Sequence, residues 1–203
     1  MKKLFVVVAM LYLIGMRTLS AAPYNDGRGR EWLQVADTYY ASWADVATVC
    51  PRDGLTACNG SVPGTFGKTY DLTDWIWATD SQVRTLFSYY TPDILNNDSL
   101  SGSNYLDPAS SVFKGFSPTN SAVCAGGCPV GSYRWYLTGW TSTINDTTGL
   151  PVYGYVEANN LTAQNGVFTI ASKTDGHSYD TGVFLWRPTG QGTGQVVANY
   201  DNG

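Results

Sequence analysis

The stretch Asp74–Tyr90, DWIWATDSQVRTLFSYY, limits the possible folds of this chain more than any other part of it. Two tryptophans in alternation predict an extended segment, after which Thr79 opens a short helix. Thr79 and Gln82 have the spacing of a capping box, in which each side chain accepts a hydrogen bond from the other residue's backbone N–H. The apolar residues that follow recur at helical spacing: Val83, Leu86, Phe87 and Tyr90. We therefore expect a helix with one buried side that ends before Pro92.

A similar helix is predicted upstream, between a strand and a long loop. Glu31–Val35 alternates apolar and polar residues, as a half-buried strand does. Ser42 can cap a helix, and Asp45 places a carboxylate in the first turn, where the helix dipole favours it. One side of this helix is apolar: Trp43, Val46, Ala47 and Cys50. Pro51 ends the helix, and residues 51–70 form a glycine-containing loop.

The second half of the chain has the pattern of β-strands. Weak periodicity and many turn-forming residues predict a surface loop with at most a helical turn over residues 93–129. Asn165-Gly166 has the composition of a hairpin turn. Strands are predicted at four places: Tyr133–Trp140, Val152–Val156, Val167–Ser172 and Thr181–Arg187. This order predicts one α+β domain over residues 23–187, with two short helices packed on an antiparallel sheet and long, disulfide-stapled loops.

Large apolar residues at periodic positions are expected to form the core. Near the end of the domain, Val183 and Leu185 should lie on one side of a strand, and Phe184 and Trp186 on the other. The predicted structural core comprises Trp32, Trp43, Trp75, Trp77, Thr79, Val83, Leu86, Phe87 and Trp186.

The first 22 residues have the anatomy of a secretory signal peptide. Lys2 and Lys3 precede an apolar run over residues 4–14, and small residues lead up to Ala22. That run is too short to span a bilayer of about 30 Å, and the alternative is an uncleaved membrane anchor. We predict secretion into the periplasm or the medium. The glycine-rich tail, residues 188–203, can add an edge strand.

Four cysteines behind a signal peptide indicate disulfide bonds in an oxidising compartment. Three pairings are possible, and we favour Cys50–Cys58 and Cys124–Cys128 because each closes a short loop. Glycines 126 and 127 relieve the strain of the smaller ring. The alternative is a metal site of four thiolates, which the missing CxxC spacing disfavours.

The charge of the mature chain excludes some classes of partner. Removing the first 22 residues leaves nine basic and sixteen acidic side chains, a net charge of −7. Such a chain has no electrostatic attraction to nucleic acid or to anionic lipid. We therefore expect no nucleic-acid partner and no membrane contact after signal cleavage.

Candidate catalytic and metal-binding groups are few. His177 could act as a general base oriented by Asp175 or Asp180, but the segment reads more simply as a turn, and no nucleophile motif accompanies it. Residues 96–98 and 145–146 carry oxygen ligands for calcium without the spacing of a calcium loop. We therefore predict no catalytic residue, no metal site and no cofactor.

An aromatic run between two loops is the strongest candidate for a binding surface. Exposed aromatic rings can stack on sugars or anchor a protein partner, and an arginine among them can bind anionic groups. The predicted binding residues are Arg134, Trp135, Tyr136 and Trp140.

Several blocks of the chain resemble known secreted bacterial domains. Trp77–Phe87 resembles the YAT-x-x-E-V-x-x-L-F segment of proteins with a PEP-CTERM sorting tail, Gly29–Leu33 their GLEWL strand, and Ser42–Val46 their S-[WY]-x-D-V helix start. These blocks are also similar to those of the Legionella collagen-like protein C-terminal domain family. In that family Gly139–Thr143 resembles the YWSST block and Val183–Arg187 the closing strand. The blocks keep the family's order over most of the mature chain.

The resemblance implies a C-type-lectin-like fold in an exported domain. The named member binds sulfated glycans and serves adhesion, as a trimer built on a collagen stalk. This chain has no collagen repeat and no sorting tail, and the EPN and WND signatures of calcium-dependent lectins are missing. A net charge of −7 also disfavours sulfated glycans.

Three functions are expected, in a fixed order. The first is a non-catalytic binding or adhesion module for a glycan or an extracellular protein, and it allows a homo-oligomer. The second is a subunit of a matrix or filament that assembles through its strand edges. The third is a secreted hydrolase, in which His177 or two carboxylates would meet in a pocket.

Overall fold

The computed structural model describes residues 22–64, 67–123, 132–161 and 164–190. The described chain is α+β, with three short α-helices: α1 (Trp43–Val49), α2 (Asp80–Ser88) and α3 (Leu106–Val112). Its first six strands are β1 (Tyr24–Asn25), β2 (Arg30–Trp32), β3 (Ser61–Pro63), β4 (Thr69–Asp71), β5 (Ile76–Trp77) and β6 (Ser99–Gly102). The other six are β7 (Asn120–Val123), β8 (Tyr133–Ile144), β9 (Pro151–Asn159), β10 (Asn165–Ser172), β11 (Gly182–Val183) and β12 (Leu185–Pro188).

The strands form three sheets. The large sheet has the order β11-β8-β9-β10-β6, and β7 also pairs with β8. A smaller sheet has the order β1-β2-β12-β5, and β3 pairs with β4. All pairings are antiparallel except that of β11 with β8, so the predicted antiparallel sheet is confirmed in its main part.

Two apolar cores lie on opposite sides of the large sheet. The first core joins its inner face, with Leu137 and Val156, to α2 and α3. The second core contains Trp140, Val46 of α1 and both cysteines of the Cys50–Cys58 disulfide. The sheet therefore has its inner face under two helices and part of its outer face under α1.

Two segments contribute alternate side chains to the two cores. Residues 75–78 place Trp75 and Trp77 in the second core and the intervening residues in the first. Residues 183–186 do the same: Val183 and Leu185 lie in the second core, and Phe184 and Trp186 in the first. The period of two read from the sequence is therefore correct for the strand that ends the domain.

Both predicted helix caps are present. The Gln82 N–H donates to Thr79 Oγ1 over 3.2 Å, and the Thr79 N–H donates to Gln82 Oε1 over 2.9 Å. Ser42 and Asp45 form the corresponding capping box at α1. These reciprocal bonds satisfy backbone donors that a helix start otherwise leaves unpaired.

The predicted core is confirmed with one exception in degree. Trp32, Trp75, Trp77 and Trp186 are buried, as are the three apolar residues of the α2 stripe: Val83, Leu86 and Phe87. Trp43 is only half-buried, because its indole N–H donates to the Thr141 carbonyl at the edge of the second core, over 2.8 Å.

The long loop predicted over residues 93–129 is wrong in its described part. It contains β6, α3, β7 and two 3₁₀ segments, Pro92–Asn96 and Ser103–Tyr105. Each element buries few side chains: α3 buries Ala109 and Val112, and β6 buries Leu100. The apolar spacing was therefore too sparse to predict them, and tertiary packing holds them in place.

The turn predicted at Asn165-Gly166 is also wrong, because both residues lie in β10. Asn165 pairs with Asn159, so the connection from β9 is made by the residues between them. A Cβ on Gly166 would lie 1.9 Å from the Tyr105 carbonyl oxygen. The glycine is needed for this close approach of backbone to strand. The strand predicted over Glu31–Val35 similarly ends at Trp32 and is followed by a 3₁₀ turn, Val35–Thr38.

The Cys50–Cys58 disulfide is present as predicted. The Cys124–Cys128 pairing lies outside the described residues, as do residues 1–21 of the predicted signal peptide and residues 191–203 of the tail. Among the helices that the structure describes, none has the length and apolar character needed to cross a membrane.

Replacing Cys50 and Cys58 with serine is expected to lower the free energy of unfolding by about 2 to 3 kcal/mol. A cross-link that closes a loop of this size restricts the unfolded chain by about that amount. Urea denaturation with and without reductant measures the effect. The native protein should lose this stability on reduction, and the double variant should not respond. A double variant that still responds would place the effect in another disulfide.

Candidate binding face of the large sheet

The outer face of the large sheet is polar and aromatic where the second core does not cover it. Along β8 and β9, alternate residues point outward, and the pairing places Arg134 opposite Asn159 and Tyr136 opposite Glu157. The next outward residue of β9 is Tyr155. Cross-strand neighbours on one face are about 4.5 to 5.5 Å apart at Cβ, so these side chains form one patch. We call Arg134, Tyr136, Tyr155, Glu157 and Asn159 the sheet-face patch.

Glu157 is the centre of the sheet-face patch. Its Oε1 accepts from Arg134 Nε over 2.8 Å and from Asn159 Nδ2 over 3.3 Å. Its Oε2 accepts from the Tyr155 hydroxyl over 2.6 Å. Glu157 is only 7% exposed, whereas 41% of the Arg134 side chain is accessible to solvent. The buried carboxylate therefore orients an accessible guanidinium group.

The aromatic rings of the patch lie beside this ion pair. The Arg134 guanidinium carbon is 4.9 Å from the centre of the Tyr136 ring, within the range of a cation–π contact. The Tyr136 and Tyr155 ring centroids are 6.1 Å apart. Both rings are half-buried, so each presents part of its surface to solvent.

The electrostatics of the patch keep its hydrogen-bond donors protonated. Burial, together with the hydrogen bond to Glu157, raises the pKa of Tyr155 well above its usual value. The hydrogen bond to Glu157 raises the pKa of Arg134. Burial raises the pKa of Tyr136. Near neutral pH the tyrosine hydroxyls and the guanidinium therefore act as fixed donors, and no group is poised to transfer a proton.

The structure separates the four predicted binding residues. Arg134 and Tyr136 lie in the sheet-face patch. Trp135 points to the opposite side of the sheet, where its ring stacks on Tyr133 at 4.0 Å and contacts Phe113 edge-on at 5.5 Å.

The prediction that Trp140 belongs to the binding surface is wrong. It shares the outward side of β8 with Arg134, but it is only 1% exposed. The second core covers this end of the sheet, and Trp140 packs there with Trp77 and Leu185. A period of two in the sequence identifies the side of a strand but does not identify what covers it.

Three members of the patch were not predicted: Tyr155, Glu157 and Asn159. A signal for them existed in the alternation of polar and aromatic residues along β9, since the residues between them are buried in the first core. The sequence did not reveal that β9 lies directly beside the aromatic run of β8.

His177 does not have the partners that a general base requires. Its Nδ1 lies 2.7 Å from the Tyr40 carbonyl oxygen. The Asp175 carboxylate instead accepts from the Trp43 and Ala44 N–H groups, over 2.7 and 3.0 Å. Asp180 accepts from Ser178 and Thr181: HB partners on its own loop. The turn reading of this segment therefore fits its contacts.

Metal ligands do not gather in the described residues. No group of three or more His, Cys, Asp or Glu side chains in the four described ranges could hold an ion. In one of the two segments considered for calcium, Asn145 Oδ1 accepts from the Thr147 and Thr148 N–H groups, over 3.0 and 2.9 Å. This is the geometry of an Asx turn.

No family model, curated protein or solved structure matches this chain. The resemblance drawn from its sequence blocks therefore stays a prediction, and so does the lectin-like fold that it implies. Any function has to be argued from the residues of the chain itself, among which the sheet-face patch offers the best-defined chemistry.

Proposed function

We propose that this chain is an exported, non-catalytic module that binds a glycan through the sheet-face patch. The observation that supports the proposal is the buried Glu157 carboxylate, which holds Arg134 and Tyr155 in fixed orientations beside the Tyr136 ring. Protein sites that recognise small ligands combine aromatic surface with a few precisely placed polar groups.

The chemistry of the patch suits a sugar. A pyranose ring has an apolar C–H face that can lie on Tyr136 and Tyr155, and hydroxyl groups at its edge that accept from the guanidinium. Because Glu157 compensates the charge of Arg134, the patch is close to neutral. We therefore propose a neutral glycan as the ligand, in preference to a sulfated one.

We further propose that the domain has a C-type-lectin-like arrangement and is secreted. The pairing of β2 with β12 supports the first point, because it joins the two ends of the described domain around two capped helices. The Cys50–Cys58 disulfide supports the second, because such bonds persist in oxidising compartments. The predicted signal peptide is the route of export.

The alternative of a self-assembling subunit has weaker support. Its requirement is a strand edge that can pair with another copy. β6 lies at the edge of the large sheet, but it has four residues, and Ser99 and Ser101 on it are exposed. A short polar edge is a poor template for pairing. A hydrolase is supported less still, since Glu157 is fully used in holding its neighbours.

A glycan array probed with the mature protein tests the proposal. We expect binding to neutral glycans, and we expect Tyr136→Ala to weaken the best of them at least tenfold, about 1.4 kcal/mol. Leu95→Ala removes an exposed side chain elsewhere, 52% accessible, and should bind like the native protein. The solution mass should be that of a small oligomer or a monomer. A large polymer without glycan binding would favour the assembly function instead.

A further inference from the structure

A second aromatic surface lies on the loop that follows β10. The ring of Tyr40 stacks on His177, with centroids 4.6 Å apart, and touches Tyr179 at 5.0 Å. Tyr179 is 67% exposed, and 44% of the His177 side chain is accessible. We call Tyr40, His177 and Tyr179 the aromatic ledge.

The ledge is held in place by backbone contacts. The Tyr40 N–H donates to the Ser178 carbonyl over 3.2 Å, and His177 Nδ1 donates to the Tyr40 carbonyl over 2.7 Å. Tyr40 has φ +74°, a conformation that bulky residues seldom adopt. Asp175 joins the same loop to the first N–H groups of α1. The rings are therefore presented in a fixed arrangement on the surface.

Carboxylates surround the ledge. Asp45 Oδ2 lies 3.6 Å from His177 Nδ1, and Asp175 and Asp180 flank His177 and Tyr179 in the loop. The neighbouring cation, Lys173, is turned away: its ammonium group donates to Thr181 over 3.1 Å and lies 4.8 Å and 5.0 Å from two ring centroids of the second core and its border. The ledge thus combines exposed rings with a negative rim.

We infer that the aromatic ledge is a binding site for a saccharide that carries free ammonium groups, of the oligoglucosamine class. The rings offer stacking surface to the C–H face of the sugar. The carboxylates offer acceptors to its ammonium groups, and a cation beside an aromatic face gains further attraction. A neutral sugar would use the rings alone and leave the negative rim without a partner.

This site is separate from the sheet-face patch and does not depend on it. The two share no residue, and the ledge belongs to the loop that docks on α1. A failure at one site therefore leaves the other testable with the same preparation of protein.

Isothermal titration with a glucosamine tetramer and with its N-acetylated counterpart tests the inference. The two probes have the same ring surface and differ in charge. We expect the glucosamine tetramer to bind at least tenfold more tightly. Tyr179→Ala should weaken that binding tenfold or more, and Asp180→Asn should weaken it severalfold. Both residues are exposed, so these variants should fold.

The matched control is Tyr136→Ala, which removes a tyrosine ring from the sheet-face patch and should leave binding of the glucosamine tetramer unchanged. Equal affinity for the two tetramers would contradict the role of the negative rim. Binding of oligolysine without binding of the glucosamine tetramer would overturn the choice of a saccharide. Absence of binding, or binding unaffected by Tyr179→Ala, would overturn the site.

Discussion

Gly182→Ala is expected to lower the free energy of unfolding by at least about 3 kcal/mol, the upper end of what overpacking costs. A Cβ at this position would lie 1.9 Å from the Val35 carbonyl oxygen and 2.8 Å from Thr38 Oγ1. The first of these is a backbone atom that no side-chain rotation can move. Relief would require β11 to separate from the 3₁₀ turn, which would also strain the bond of 2.8 Å from the Val183 N–H to Thr38.

The matched control for this change is Gly176→Ala. No heavy atom lies within 4 Å of the Cβ that alanine would add there. The free energy of unfolding should change by no more than about 0.5 kcal/mol, the usual range for surface positions. Urea denaturation of both variants measures the difference. Equal stabilities would contradict the close packing of β11 on the Val35–Thr38 turn.

Phe87→Ala should cost about 3 to 5 kcal/mol of unfolding free energy, as truncation of a buried phenylalanine usually does. Phe87 is fully buried on α2, and its ring meets those of Phe168 and Phe184 edge-on, with centroids 5.7 Å and 5.9 Å apart. It therefore connects the helix, the large sheet and the final strand segment. Removing it leaves a cavity where these three elements meet.

Thermal and urea denaturation measure this loss, and Leu95→Ala is the control because Leu95 lies largely in solvent. The control should change stability by less than about 0.5 kcal/mol. A loss below 1 kcal/mol for Phe87→Ala would mean that the first core does not depend on this contact between helix and sheet.

The elements that the sequence predicts correctly are those with local physical signals. The capping boxes at Thr79 and Ser42 need only side chains three residues apart. The alternation in residues 75–78 and 183–186 follows from strand geometry alone, and it anticipates which side chains share a core.

The elements that it misses depend on distant contacts. α3 has a proline and two serines in seven residues, and packing on the large sheet holds it in place. The position of Gly166 in a strand depends on the approach of the Tyr105 carbonyl, 61 residues earlier in the chain. Neither contact leaves a periodic signal in the sequence.

The candidate site was predicted in part for the same reason. Arg134 and Tyr136 were found because aromatic and basic residues are adjacent in the sequence. Tyr155 and Glu157 come from the neighbouring strand, so their part in the patch depends on register. The burial of Trp140 depends on α1, which covers it from the other half of the chain.

An NMR titration of the mature protein with the best neutral glycan from the array tests the central claim most directly. The side-chain signals of Tyr136 and Tyr155 and the Nε–H of Arg134 should shift most, and saturably. Signals of buried Trp140 and of Trp135 on the opposite face should move little. Largest shifts on another surface, or no neutral glycan that binds, would contradict a glycan-binding sheet-face patch.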